Sequence, residues 1–441
     1  MNIFLDTGVV GRLAGRVARL AFLAMVALCV ASCGSGGGGS STGSSLFRVF
    51  NAVVDGGPIT VTVGTQPAAA ALAFEGLTPY RTVSGGSQEI KVVPAGGGSP
   101  IIDSITVLNG GTSYSYILFG TASTPVALLV QDGLAATTTS QFGVRITNAA
   151  IGSTPLDAYI TAPGASIDGL SPNLSSVAAG TTSAFVILTA GQYQVRFTLH
   201  NSKQLIYDSG PLTFAGNVSY AFVAYSKASG TLVNAALLVM DTAGNGALAN
   251  STISGFKLVH AAPQTSAINA RVNGNIAFAN VPYQGITSYG SQPAGTQTVT
   301  IEAAATPGAV IASAQPPFSP GTDTTIVVTG LPGAQTALVL ADNNLPGTVG
   351  SARLRVANVA PGLGPVDVLI NFAKRVSGLA TNTASPYIEL VEDFYTIDFV
   401  VAGTTTSVLN MTGVGVAAGR VYTLYLTGTP GALTGLLTRD D

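Results

Sequence analysis

Tryptophan is absent from this 441-residue chain, histidine occurs twice and cysteine twice. Charged residues make up 9%, against about 25% in ordinary soluble domains, and the net charge is −2. So little basic charge, with no basic stripe, excludes nucleic acid as an expected partner. Two histidines, His200 and His260, lie far apart in sequence with no cysteine or carboxylate run beside them, which leaves no zinc-ligand spacing and no Ser-His-Asp set. No G-x-S-x-G elbow and no P-loop occurs. No dense alternating carboxylate loop offers a calcium site. Neither a cofactor nor a metal is expected, and no catalytic residue is identifiable. Aromatics at 7% weaken a sugar-stacking platform, although 14 tyrosines remain.

What is present begins with an address. Arg12, Arg16 and Arg19 precede an uncharged apolar run, Leu20 to Val30. At about a dozen residues it is too short to span a bilayer core, where roughly 20 are wanted. A basic start, short apolar run and small-residue cleavage site read as a secretion signal over residues 1–32. Val30-Ala31-Ser32-Cys33 resembles the lipobox of bacterial lipoproteins. That resemblance implies lipidation of Cys33, the new N-terminus, and anchoring in a membrane. Gly34 in place of Asp implies the outer membrane, with the chain facing the periplasm or the cell surface. Residues 34–45 are Gly, Ser and Thr only, so residues 33–45 read as a lipidated cysteine and flexible tether. With one cysteine left after processing, no intramolecular disulfide is expected.

The remainder is repetitive. Four opening blocks, Arg48-Val-Phe-Asn51-Ala, Arg145-Ile-Thr-Asn148-Ala, Lys257-Leu-Val-His260-Ala and Arg355-Val-Ala-Asn358-Val, start 97, 112 and 98 residues apart. A second strand-like segment begins eleven residues after each, at Ile59, Leu156, Ile268 and Val366. A third block ends in Asp132, Asp241, Asp342 and Asp440. Alternation dominates within each unit: Tyr193, Val195, Phe197 and Leu199 interleave with Gln192, Gln194, Arg196 and Thr198. Gly, Pro, Asn and Ser turns separate the runs. About seven short strands in roughly 95 residues predict an all-β architecture of four tandem antiparallel, immunoglobulin-like β-sandwiches. The expected repeats are residues 46–137, 138–250, 251–346 and 347–441, with linkers near 138–141, 243–254 and 344–351. An outer-membrane barrel would share the alternation. The lipobox, tether, repeat and Arg439-Asp440-Asp441 end oppose it.

The third unit, Lys257-Leu-Val-His260-Ala261-Ala262-Pro263 followed by Ile268-Asn-Ala-Arg-Val, resembles domain-of-unknown-function family 4397. Its V-D-V-Y slot corresponds to Leu156-Asp157-Ala158-Tyr159 and Val366-Asp367-Val368-Leu369, and its P-Y to Pro79-Tyr80, Pro282-Tyr283 and Pro386-Tyr387. The last-strand block corresponds to Gly419-Arg-Val-Tyr422-Thr423, although units one and two lack the histidine. The resemblance implies extracytoplasmic tandem domains and no particular activity.

Residue by residue, the polar Asn51, Asn148, His260 and Asn358 are expected to hold the following loop. The basic Arg48, Arg145, Lys257 and Arg355 fall on the opposite, solvated or sheet-edge face. Asp132, Asp241, Asp342 and Asp440 are expected to form turns, and Glu389, Glu392 and Asp393 a solvated edge. The functional expectation is a non-catalytic, lipid-anchored structural or interaction protein of the cell envelope, its partner an envelope protein or polysaccharide. A carbohydrate- or peptide-binding surface module is the alternative, and a hydrolase with paired carboxylates ranks third.

Overall fold

In the computed structural model, residues 43–440 are described, apart from 55, 136, 152–154, 228–231, 346 and 349. Cys33, the expected signal segment and most of the tether lie outside the described residues. The described residues are all-β, and no helix among them is long and apolar enough to cross a membrane.

Each repeat builds two facing sheets. In the first repeat the opening strand Ser44–Val53 lies between the short antiparallel Arg81–Ser84 and the parallel Ser113–Thr121, which hairpins into Thr124–Asp132. The second sheet runs Gln66–Leu72, Ile59–Val63, Gly86–Pro94, Ile102–Leu108, all antiparallel. The same order recurs three times, with opening strands Gln141–Ala149, Ile253–His260 and Ser351–Asn358. The expectation of purely antiparallel sheets thus needs one correction. In every repeat the opening strand pairs in parallel with the strand that hairpins into the block-ending strand. Parallel neighbours need a long crossover, and here the second sheet supplies it.

Between the sheets each repeat buries its own core. Phe47, Val49, Val61, Val92 and Leu118 fill the first, and Leu354, Val356, Val368, Phe399 and Leu424 the fourth. These are the inward positions of the alternating runs. Two further clusters lie between repeats. Phe50, Ala52, Ile117 and Phe119 of the first meet Ala221, Val223, Tyr225 and Leu238 of the second. Val259, Val327 and Leu340 of the third meet Ala357, Val359 and Tyr425 of the fourth. The repeats therefore pack as two face-to-face pairs through the outer faces of their opening-strand sheets. Opening strands are consequently buried on both sides: all eight residues of Ile253–His260 are buried.

The expected linker 243–254 is not irregular. Gly246–Ala249 pairs with Val233–Val239 as an extra strand of the second repeat, and the third repeat's opening strand already begins at Ile253.

Candidate functional site

The second strand of every repeat carries a polar residue opposite a bulge. The residues with positive φ at the four bulges are Ala71, Ser176, Asn280 and Gly378, at 45° to 61°. Their N–H groups are met by Thr60, Asp157, Asn269 and Asp367, at 3.4, 2.8, 2.8 and 2.7 Å. An extra residue inserted into a strand leaves its N–H outside the ladder, and the short side chain takes it up. Asp157 also accepts from the N–H of Asn201, from Ser175 Oγ, and lies 2.9 Å from His200 Nδ1. Burial pushes its carboxyl up, but these N–H groups and the ring outweigh burial and hold it below its ordinary value.

His200 therefore does have a carboxylate partner, contrary to expectation, because the strands bring together residues 43 positions apart. Its geometry is not that of a nucleophilic triad. Ser175 donates to the aspartate rather than to the imidazole, so no base stands against its hydroxyl.

The Asn/His slot serves the next loop. Asn51, Asn148 and Asn358 each accept the N–H two residues ahead and donate to a carbonyl of the facing sheet, at Leu72, Val177 and Leu379. His260 substitutes a ring, with Nε2 3.0 Å from the Ser266 carbonyl. Burial lowers its pKa, against the hydrogen bonds to Ser266 and Thr265.

The basic residues are placed unexpectedly. Arg48, Arg145, Lys257 and Arg355 do point away from their own cores, but that face is covered by the paired repeat, and all four are buried. Each sits over an aromatic ring, of Tyr80, Phe185, Tyr289 and Tyr387, 4.6 to 5.0 Å from its centroid. Nor are three of the four block-ending aspartates turn formers. Asp342 accepts Tyr289 Oη at 2.7 Å and Thr325 Oγ1 at 2.6 Å from its own repeat, and Arg355 at 2.6 Å from the next. Asp132 does the same with Tyr80, Ser115 and, across the junction, Arg145 at 3.1 Å. Asp440 takes Thr423 of its own repeat and Lys257 Nζ of the third.

The third and fourth repeats thus exchange reciprocal ion pairs. They also exchange hydrogen bonds, from Thr329 to the Val359 carbonyl and from Thr427 to that of Ala261. The first pair breaks this symmetry on one side. The second repeat has Ala221 where its equivalents have Ser or Thr, and Phe185 where they have Tyr. Its Asp241 turns back to cap the N–H groups of Ala243, Gly244 and Asn245, the one aspartate that forms the expected turn. Arg48 instead donates to the carbonyls of Val239 and Asn245.

Beside the Lys257–Asp440 contact a notch of about 350 Å³ opens, lined by Tyr289, Asp323 and Arg439 among others. Asp323 is fully buried and its carboxyl is pushed up to about 7, first by burial and then by Asp342. Gly255 makes room for it: a Cβ there would lie 1.9 Å from Asp323 Oδ1. Among the described residues no group of three or more His, Cys, Asp or Glu side chains could hold a metal ion.

The aromatic partners went unread in the sequence, yet a signal was present. Tyr80, Tyr289 and Tyr387 each fall 32 residues after the basic residue, and Phe185 falls 40 after, displaced by an eight-residue insertion. The P-Y motif assigned Tyr283 to this place in the third repeat. The structure puts Tyr289 there, and Tyr283 stacks edge-on against His260 at 5.8 Å.

The sequence matches the family described as Domain of unknown function (DUF4397) over residues 45–159, 254–369 and 352–441. The chain belongs to this family. The three matched stretches, two of which overlap, agree with a repeated domain. No curated protein matches the chain. Among solved structures it is similar to the Bacillus anthracis TIE protein, at 9% identity and a TM-score of 0.14, covering 88% of this chain and 69% of that one. A second is a multi-modular glycogen-degrading pneumococcal virulence factor, SpuA, in a product complex. It shows 10% identity and a TM-score of 0.16, with 83% and 38% covered. Scores this low carry no argument about fold or function.

Proposed function

We propose that the chain is a lipid-anchored protein of the cell envelope, held at Cys33, whose four repeats serve a non-catalytic structural or interaction role. The observation that carries this reading is where the repeat-defining charges go. Arg48, Arg145, Lys257 and Arg355, with Asp132, Asp342 and Asp440, are buried and used to join repeats in pairs. A chain that buries this many of its few charges at internal junctions is built for a fixed arrangement of domains. The lipobox at Val30–Cys33 and the Gly/Ser tether supply the anchor, and Gly34 favours the outer membrane.

Fractionation of cells carrying Cys33→Ala tests the anchor: release from the membrane is expected, and unchanged membrane association overturns it. Protease shaving of intact against permeabilised cells then assigns the face. Digestion on intact cells directs the search to external polymers, and protection directs it to periplasmic and cell-wall partners.

A second reading, a ligand-binding surface module, is favoured by one feature of the fourth repeat. Phe372 and Phe394 are 85% and 74% exposed, and Phe372 sits at a turn tip with φ of +67°. A bulky residue held strained and solvent-facing suits contact with a carbohydrate or peptide. Loss of surface-polymer binding in Phe372→Gly, with the fold intact, would select this reading.

A further inference from the structure

Lysine stands at the junction slot only in the third repeat; the other three carry arginine. The difference is chemical. A guanidinium can only pair with a carboxylate, whereas an amine can also be acylated by one. Lys257 Nζ contacts Asp440 Oδ1 with side-chain exposures of 3% and 0%, so both groups are buried. Both groups are held on strands or directly beside them. Lys257 lies inside Ile253–His260, and Asp440 follows Ala432–Arg439, with its second oxygen taken by Thr423 Oγ1 at 2.5 Å.

We propose that Lys257 and Asp440 join as an intramolecular isopeptide bond, a covalent link between the opening strand of the third repeat and the closing strand of the fourth. The step needs no oxidant and no added reactant. In the reacting step a proton passes from the ammonium to the carboxylate, which frees the nitrogen lone pair. The Nζ lone pair attacks Cγ, one carboxyl oxygen departs as water with a proton shed by nitrogen, and the C–N bond remains. In sum, one ammonium and one carboxylate give one amide and one water. Rigid juxtaposition of the two groups replaces the bimolecular encounter that makes amide formation slow in solution.

Asp323 lines the same notch, and in the proposed step it would relay the proton between nitrogen and the departing oxygen. Its carboxyl, pushed up to about 7 by burial first, retains its acid form near neutral pH. The remaining charged groups around the pair are Arg355, 3.9 Å from Asp440 Oδ2 but bound to Asp342 at 2.6 Å, and Arg439 at the notch wall.

The test is a tryptic digest of the purified full chain under denaturing conditions, read by mass spectrometry. The expected product is a branched species joining residues 228–271, uncut after Lys257, to Asp440-Asp441, lighter than its two parts by one water. Complete cleavage after Lys257, with no branched species, overturns the proposal and leaves an ordinary buried ion pair. Lys257→Arg keeps the charge and must abolish the species. Asp440→Asn must give the same branched product, with ammonia as the leaving group. An undiminished yield in Asp323→Asn would overturn the relay assigned to that residue.

Discussion

The Arg355 guanidinium of the fourth repeat lies 2.6 Å from the Asp342 carboxylate that ends the third, and neither side chain is more than 4% exposed. The same carboxylate collects Tyr289 and Thr325 from its own repeat, so one residue closes a hairpin and fastens a neighbour. Asp132 holds the corresponding position in the first pair.

Removing that hub is expected to be costly. Asp342→Ala leaves Arg355 in a dry junction with only the more distant Asp440 carboxylate, 3.9 Å away, for a counter-charge, and strips the acceptor from two hydroxyls. Breaking one partner of a buried pair costs about 3–5 kcal/mol. Urea unfolding should show the loss, and Arg355→Met in the same chain should restore part of it. A midpoint unchanged by Asp342→Ala would mean that the junction does not contribute.

Stability should fall as pH rises through the neutral range. Asp323 titrates at about 7 in the folded chain, raised by burial first, against about 3.9 when unfolded. Between these values the folded state holds a proton that the unfolded state has released, so rising pH favours unfolding until Asp323 is ionised. Asp323→Asn should flatten the slope between about pH 4 and 7. Asp367 acts in a separate window: Lys374 first, then the Gly378 and Gly403 N–H groups, hold it at about 2, so its contribution is lost only on acidification below about 4.

The bulge cap can be tested at Asp157. Asp157→Ala leaves the N–H groups of Ser176 and Asn201, both on exposed residues, without that acceptor. An unfolding measurement should register a loss of about 1 kcal/mol. Hydrogen exchange should quicken first at Ser176, and unchanged exchange there would count against the cap.

Phe372→Gly should stabilise the chain. The turn Asn371-Phe372 has φ of +48° and +67°, and the equivalent turn of the third repeat uses Asn273-Gly274. Left-handed backbone costs a residue with a side chain about 1 kcal/mol, which glycine avoids. A destabilised variant, by thermal melting, would show that the exposed ring contributes packing.

The repeat, the all-β class, the inward core positions and the loop-holding role of Asn51, Asn148, His260 and Asn358 follow from periods of two and recurring blocks, which are local properties of the chain. Alternation also identifies which residues leave the core, and Arg48, Arg145, Lys257 and Arg355 do leave it. It carries no information about what covers the outward face. That depended on the paired repeat, whose approach turns outward cations and turn-like aspartates into buried partners across about a hundred positions of sequence. The parallel pairing of the opening strand with the strand that hairpins into the block-ending strand, the His200–Asp157 contact and the substitution of Tyr289 for Tyr283 are of the same kind. Each joins residues whose separation local periodicity cannot measure, and burial made their pairing obligatory once the sheets had closed.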